Sequence, residues 1–494
     1  MNQSKRVSQF PHADKSFPSK GSPWSTLKEA CGTTPTEGAL LDIARRSFLS
    51  LWSFPNVYTD EGRRGKHSDG KELCDLMVVF GNDILLFSDK ACVFPSVDDL
   101  NLAWSRWYRR AVEKSARQLA GAENWIARFP TRVFLDAKCS KSLPVQFPPA
   151  EQRRIHLIAV THGASASAIK HWNAIAPGSS GSLIIDTQIV GREHEDKPFV
   201  IGWPLESKRF VHVLDGETLA LVLRELDTLN DFVDYLGKKQ ELMEASGCDF
   251  VITGEEELLA VYLGNIDPKT GEHRFRKPEP GHLVFLDEGH WNKLRASTEY
   301  RLRAQANEIS YLWDQLIEYQ ASHVIHGSSE LTMGETTKGS EEHLLRVMAS
   351  ENRLSRRMLG ESIRFLRAKA NEKIRATRCI VTPNKNRVFA MLALPYIPEQ
   401  AHDVYRDYRQ YLLYLYCQGA MLQFPEAQEI LGVAFEHFDS ETVSVDFLYM
   451  RLNGSQFDSA DRTEITKHLR QENIWNHSTI SGGLIKDAEF PSAS

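Results

Sequence analysis

Two short, almost unbroken apolar runs, Leu76-Met77-Val78-Val79-Phe80 and Ile84-Leu85-Leu86-Phe87, are separated by Gly81-Asn82-Asp83, a sequence suited to a tight turn. Runs this short, rich in β-branched and aromatic residues, read as strands. Their lack of polar alternation predicts a hairpin covered on both faces. A chain with such a segment has to build layers on either side of it.

The ends of this hairpin are charged. Lys71-Glu72-Leu73-Cys74-Asp75 leads into the first run, and Ser88-Asp89-Lys90 closes the second. Asp75 stands seven residues before Asn82 and Asp89 seven after it, so a turn centred on Asn82 sets the two acids opposite one another. Either acid alone reads as an ordinary strand-end residue. Glu72, Asp75, Asp89 and Lys90 together, abutting wholly apolar strands, need a partner or a task.

The neighbouring segments extend the pattern. Leu40, Leu41, Ala44, Phe48, Leu51 and Trp52 recur at helical spacing from Glu37 to Trp52, and Ser53-Phe54-Pro55-Asn56 is expected to stop that helix before a strand near Val57-Tyr58. After Pro95 a long helix is expected, capped by Asp98 or Asp99 and running to about Arg128. Trp104, Tyr108, Ala111, Ser115, Leu119, Ala122 and Ile126 form its apolar face, and Arg106, Arg110, Lys114 and Arg117 form a basic one. A basic helix face is by default solvated, with phosphate contact as the rival reading.

An acid leading one strand and an acid–lysine cluster ending its partner meet the minimal needs of phosphodiester hydrolysis. A hard divalent cation takes carboxylate oxygens and lowers the pKa of an attacking water. A lysine beside it offsets charge that develops in the transition state. The segment from about Glu37 to Arg128 resembles the PD-(D/E)xK, or restriction-endonuclease-like, nuclease superfamily. The order that carries the likeness is a helix with Glu37, a strand at Val57, a strand led by Asp75, a strand ended by Lys90, and an amphipathic helix. The wording GKELCDLMVVFGNDILLFSDK also resembles uncharacterised bacterial nuclease-like proteins associated with mobile elements and phage defence. The resemblance implies an α/β, restriction-endonuclease-like core and Mg²⁺ (or Mn²⁺) held by Asp75 with Asp89 or Glu72. It also implies a catalytic role for Lys90 and DNA as substrate, in antiviral defence. It departs from the family at one position: two residues before Lys90, where an acid is expected, stands Ser88. Two repairs are open. A bulge could bring Asp89 beside Lys90, or Glu72 could supply the second carboxylate. Without either, the fold would serve as an inactive regulator or assembly subunit. An RNA-directed nuclease is the third reading.

The rest of the 494 residues is less legible. A net charge of −6 excludes a uniformly basic nucleic-acid coat but not a local basic face. Seven scattered cysteines without a CxxC pair argue against a disulfide framework or structural zinc site. No apolar run has transmembrane length and nothing reads as a signal peptide, so a cytoplasmic protein without a membrane partner is expected. The domain expectation is an arm over 1–33, the nuclease-like domain over 34–145, an α+β domain over 146–328, a linker near 327–340, and a C-terminal α+β domain over 341–494. Its partners would be DNA, alternatively RNA, and a second copy or another protein. Gly178 to Ser182 lacks the GxSxG spacing of a nucleophile turn and reads as a loop. Arg353, Arg356, Arg357, Arg364, Arg367, Lys369, Lys373 and Arg375 read as a solvated helix face or a phosphate-contacting surface.

Overall fold

A computed structural model describes residues 34–63, 68–245, 247–267, 271–326, 340–370, 375–382, 386–396, 399–436, 444–451, 459–475 and 488–491. The expected arm over 1–33, most of the expected linker and Lys373 lie outside the described residues. The chain is mixed α/β and divides into two compact units, Gly21–Tyr300 and Arg301–Ser494. Among the described residues no helix is long and apolar enough to cross a membrane, and the six described cysteines are free.

The first unit opens with α1 (Pro35–Phe48), β1 (Ser53–Thr59), β2 (Lys71–Phe80) and β3 (Asp83–Lys90). Thr34 and Glu37 cap α1 reciprocally, each side chain accepting the other's backbone N–H. The helix ends at Phe48, and Pro55 lies inside β1 instead of ahead of it. The strand tolerates the proline because its outer neighbour pairs only with Tyr58 and Thr59, so the missing N–H falls on a free edge. Beyond β3 come α2 (Leu100–Tyr108) and α3 (Lys114–Arg128), joined through a π-helical turn at Arg109–Glu113 into one long helix that Asp99 caps. All seven residues of its expected apolar face are buried.

Next follow β4 (Val133–Phe134), β5 (Arg154–Thr161), α4 (Ser165–Ile175), β6 (Ile184–Val190), β7 (Val200–Trp203), β8 (His212–Asp215) and α5 (Gly216–Glu225). The unit closes with α6 (Leu229–Met243), β9 (Asp249–Ile252), α7 (Glu255–Gly264), β10 (Leu283–Leu286) and α8 (His290–Ala296). Six strands make one sheet in the order β4-β1-β2-β3-β5-β8, and four make a second, β10-β9-β6-β7. In the first sheet β1, β2 and β3 are antiparallel, whereas β5 runs parallel to β3 and β8 parallel to β5. The expected domain boundary near residue 145 is therefore crossed by a single sheet, because β5 completes what the hairpin begins. Both faces of the hairpin are covered, as its composition requires. On one, Ser88 meets Ser115 of α3, and on the other Phe87 lies 6.4 Å from Phe48 of α1, whose ring is 5.3 Å from Phe232 of α6.

The second unit begins within α9 (Thr298–Asn307) and continues through α10 (Tyr311–His326), α11 (Ser340–Ala349), α12 (Arg353–Lys369), β11 (Ala376–Val381) and β12 (Arg387–Leu394). It ends with α13 (His402–Gln423), β13 (Glu429–Glu436), β14 (Val445–Arg451) and α14 (Ser459–Gln471). Its sheet order is β11-β12-β13-β14, and α13 crosses over between the parallel pair β12 and β13. Arg353, Arg356 and Arg357 are buried, contrary to either surface reading. Asp314 receives Arg353 at 2.8 Å and Arg356 at 2.6 Å, and Arg357 donates to the carbonyl of Ala488 at 2.6 Å.

Candidate active site

The hairpin turn is tighter than its sequence suggests. Phe80 pairs with Asp83, leaving Gly81 and Asn82 as a two-residue loop. Gly81 takes φ +57° while Asn82 does not enter the left-handed region, the pattern of a type II′ turn. Pairing runs to Leu76 opposite Phe87, so one step further Asp75 comes opposite Ser88, not Asp89. The expected register is off by one residue. A shift of one exchanges the face of every side chain, and this decides the site's composition.

Strand β3 pairs with β5 in unbroken register from Asp83–Arg154 to Lys90–Thr161. No bulge brings Asp89 beside Lys90, and the two side chains diverge as regular pleating demands. The Lys90 amine reaches Asp75 Oδ2 at 3.3 Å, and the backbone N–H of Asp89 donates to the same oxygen at 2.5 Å. The Asp89 carboxylate instead accepts from His162 Nε2 at 2.5 Å, at the end of β5. Its second oxygen is buried without a hydrogen-bond partner among the described residues. The Ser88 hydroxyl is taken up by Ser115 and Gln118 of α3, at 3.4 and 3.3 Å.

The second repair is the one the backbone permits. Between Val57–Cys74 and Tyr58–Glu72 the β1–β2 register slips by one, which leaves Leu73 as an extra residue on β2. Residues three apart, such as Glu72 and Asp75, face opposite ways in a regular strand, and a single-residue bulge between them restores a common side. Electrostatics agrees. Desolvation first, and the Asp75 charge second, push the Glu72 carboxyl up, while Lys90 pulls it down. Asp75, whose side chain is 2% exposed, is raised mainly by burial; Lys90 and the Asp89 N–H oppose this and Glu37 adds to it. Glu37 therefore contributes to the local field while its carboxylate caps α1.

A carboxyl raised by burial and by the charge of a neighbouring acid, as Glu72 is by Asp75, marks a place where added positive charge is favourable. Among the described residues no three His, Cys, Asp or Glu side chains converge as an assembled metal site. Magnesium, however, is commonly held by one or two carboxylates with water completing its shell, so Asp75 and Glu72 suit it. Asp89 does not join them.

The basic face of the long helix lies on the surface. Arg106, Arg110, Lys114 and Arg117 are all exposed, with Arg117 paired to Glu113 at 2.5 Å. Arg106, Arg109 and Arg110 line an open basin of about 520 Å³ with Pro95. The π-helical turn begins at Arg109, so the helix presents both Arg109 and Arg110 to solvent. Trp104 and Tyr108, by contrast, are core. The Trp104 indole donates to the His194 carbonyl at 2.6 Å, and Tyr108 stacks on the His194 ring. In the loop from Gly178, the Ser182 hydroxyl donates to Glu256, which satisfies a buried acid.

The sequence reading passed over His162. A signal was present, since Ile155 to Val160 is a strand-like run following a long helix, which predicts a strand parallel to β3. Residues ending adjacent parallel strands gather at one sheet edge, as Asp89, Lys90 and His162 do. Comparisons with protein-family models, curated proteins and solved structures gave no match.

Proposed function

We propose that the open end of the β2–β3 hairpin is the active site of a metal-dependent nuclease acting on DNA. The observation that carries this reading is the meeting of Lys90 with the buried Asp75 at adjacent strand tips. Around that pair, the order of α1, three antiparallel strands and an amphipathic helix supports a restriction-endonuclease-like core. Asp75 and Glu72 would hold Mg²⁺, which when bound would polarise the phosphate and acidify a water. Lys90 stands ready to offset negative charge developing on the phosphate. Asp89 is a positioning residue: anchored by His162, it aims its backbone N–H at Asp75 and fixes that carboxylate. Arg106, Arg110, Lys114 and Arg117 would meet the phosphate backbone.

One observation favours a second reading, a nuclease fold that binds without cutting. Ser88 and Asp89 both spend their side chains elsewhere, which leaves Asp75 and Glu72 as the only acids at the tip among those the sequence nominated. Plasmid nicking separates the two. The wild-type chain should nick with Mg²⁺ and not with EDTA, and Asp75→Ala and Lys90→Ala should both lose the activity. Equal nicking by all three proteins would overturn the site. DNA retention by a wild type that never nicks would establish the binding module, and cleavage confined to single-stranded RNA would reassign the substrate.

A further inference from the structure

On the first unit, away from the hairpin, α6 and the segment Arg274 to Lys277 enclose a cavity of about 500 Å³. That volume is typical of small-molecule sites. The apolar part of its wall is Leu242, Ala245 and Phe275. Phe275 is braced from behind by Tyr262 and Tyr235, with ring centroids 5.5 and 6.3 Å away. Around this apolar wall stand four cations, Lys238, Arg274, Arg276 and Lys277, and one acid, Glu241.

The cations fall into two kinds. Lys238 is held by Asp234 at 2.7 Å and by the His273 carbonyl, and Arg274 by Asp267 at 2.6 Å. Arg276 and Lys277 are exposed and make no ion pair or hydrogen bond among the described residues. With Lys238 and Arg274 already matched by acids, Arg276 and Lys277 are the cations left on this wall for an anion to meet. An arginine fork beside an ammonium suits a phosphate, which takes paired N–H donors from the first and a point charge from the second.

We infer that this cavity binds a nucleoside phosphate. The phosphate would lie against Arg276 and Lys277, the flat base against Leu242 and Phe275, and Glu241 would accept from a sugar hydroxyl or base amino group. The assignment is independent of the nuclease reading, since it concerns other residues and is tested by binding without added metal.

The test is calorimetric titration of the full chain with each of the four 5′-nucleoside monophosphates, with adenosine and with inorganic phosphate. At least one nucleotide should bind below about 1 mM, and both adenosine and phosphate should bind more weakly. The double variant Arg276→Ala/Lys277→Ala removes only exposed side chains. It should weaken nucleotide binding about tenfold or more while leaving the melting temperature unchanged. Failure of all four nucleotides to bind the wild type, or equal binding by the double variant, would overturn the site. Phosphate binding as tightly as the nucleotides would overturn the nucleoside part of the assignment.

Discussion

The imidazole of His162 closes on the Asp89 carboxylate at 2.5 Å while the backbone N–H of Asp89 bonds to Asp75. The end of β5 thereby sets the position of a buried acid on the far side of β3. Truncating His162→Ala leaves that carboxylate, with no exposed side-chain surface, short of its partner. Because His162 itself is partly open to water, the expected loss is about 1–3 kcal/mol, read from urea denaturation. An unchanged midpoint would show that the pair is dispensable.

The same pair makes stability depend on pH. The hydrogen bond that His162 donates to Asp89, foremost, lifts the His162 pKa above its ordinary value, against an opposing effect of burial. A histidine raised on folding stabilises the protein fully below its unfolded pKa of about 6.5, and the contribution fades as pH climbs through the folded value. The stability gap between wild type and His162→Ala should therefore be widest near pH 6 and narrow on the alkaline side. A gap that widens with rising pH would contradict this linkage.

Asp75 should show the opposite of a structural residue. Burial raises its carboxyl above the ordinary value, so its charged form opposes folding once pH exceeds that of a free aspartate. Asp75→Asn keeps an oxygen for the Asp89 N–H and removes the charge. At pH 7 it should melt about 2–4 °C higher, corresponding to about 1 kcal/mol, while metal-dependent nicking disappears. A variant that is both less stable and equally active would remove Asp75 from the proposed site.

How much of this was readable beforehand follows from where the information lies. The hairpin, its coverage on both faces and the apolar face from Trp104 to Ile126 were legible, because burial imposes periodicity along a local stretch. The register was not. Asn82-centred symmetry puts Asp75 opposite Asp89, but the conformational freedom of Gly81 favours a two-residue turn and moves the pairing by one. The bulge at Leu73 was equally hidden, since nothing in Lys71 to Asp75 distinguishes a regular strand from a slipped one. The continuation of one sheet across residue 145 was hidden for a related reason. Parallel pairing of β3 with β5 joins residues some seventy positions apart, so its only sign is the order strand, helix, strand, and no local pattern marks it.

The basic helix face makes a prediction separable from catalysis. Arg106 and Arg110 are exposed, so Arg106→Glu/Arg110→Glu should leave folding intact. If each contacts one phosphate, the slope of log affinity against log salt should flatten by about 0.9 per arginine on duplex DNA. Filter binding across a salt series measures this. An unchanged slope would return these residues to ordinary solvated surface.

The arginines of α12 should behave in the contrary way, although their sequence looks equally basic. Arg356 is 1% exposed and shares Asp314 with Arg353, whose guanidinium also lies over the Tyr311 ring at 4.5 Å. These two charges hold the Asp314 carboxyl below its usual value against the effect of burial, so the acid is ionised and paired in the folded unit. Asp314→Ala strands two guanidinium groups in the interior, and a broken buried network of this kind costs about 3–5 kcal/mol. The loss should appear as a lowered unfolding midpoint and as early proteolysis within residues 301–494. DNA affinity and its salt slope should stay as in the wild type, because these arginines neutralise a carboxylate and not a phosphate. A variant that unfolds normally but releases DNA would place α12, and not the long helix of the first unit, at the nucleic-acid surface.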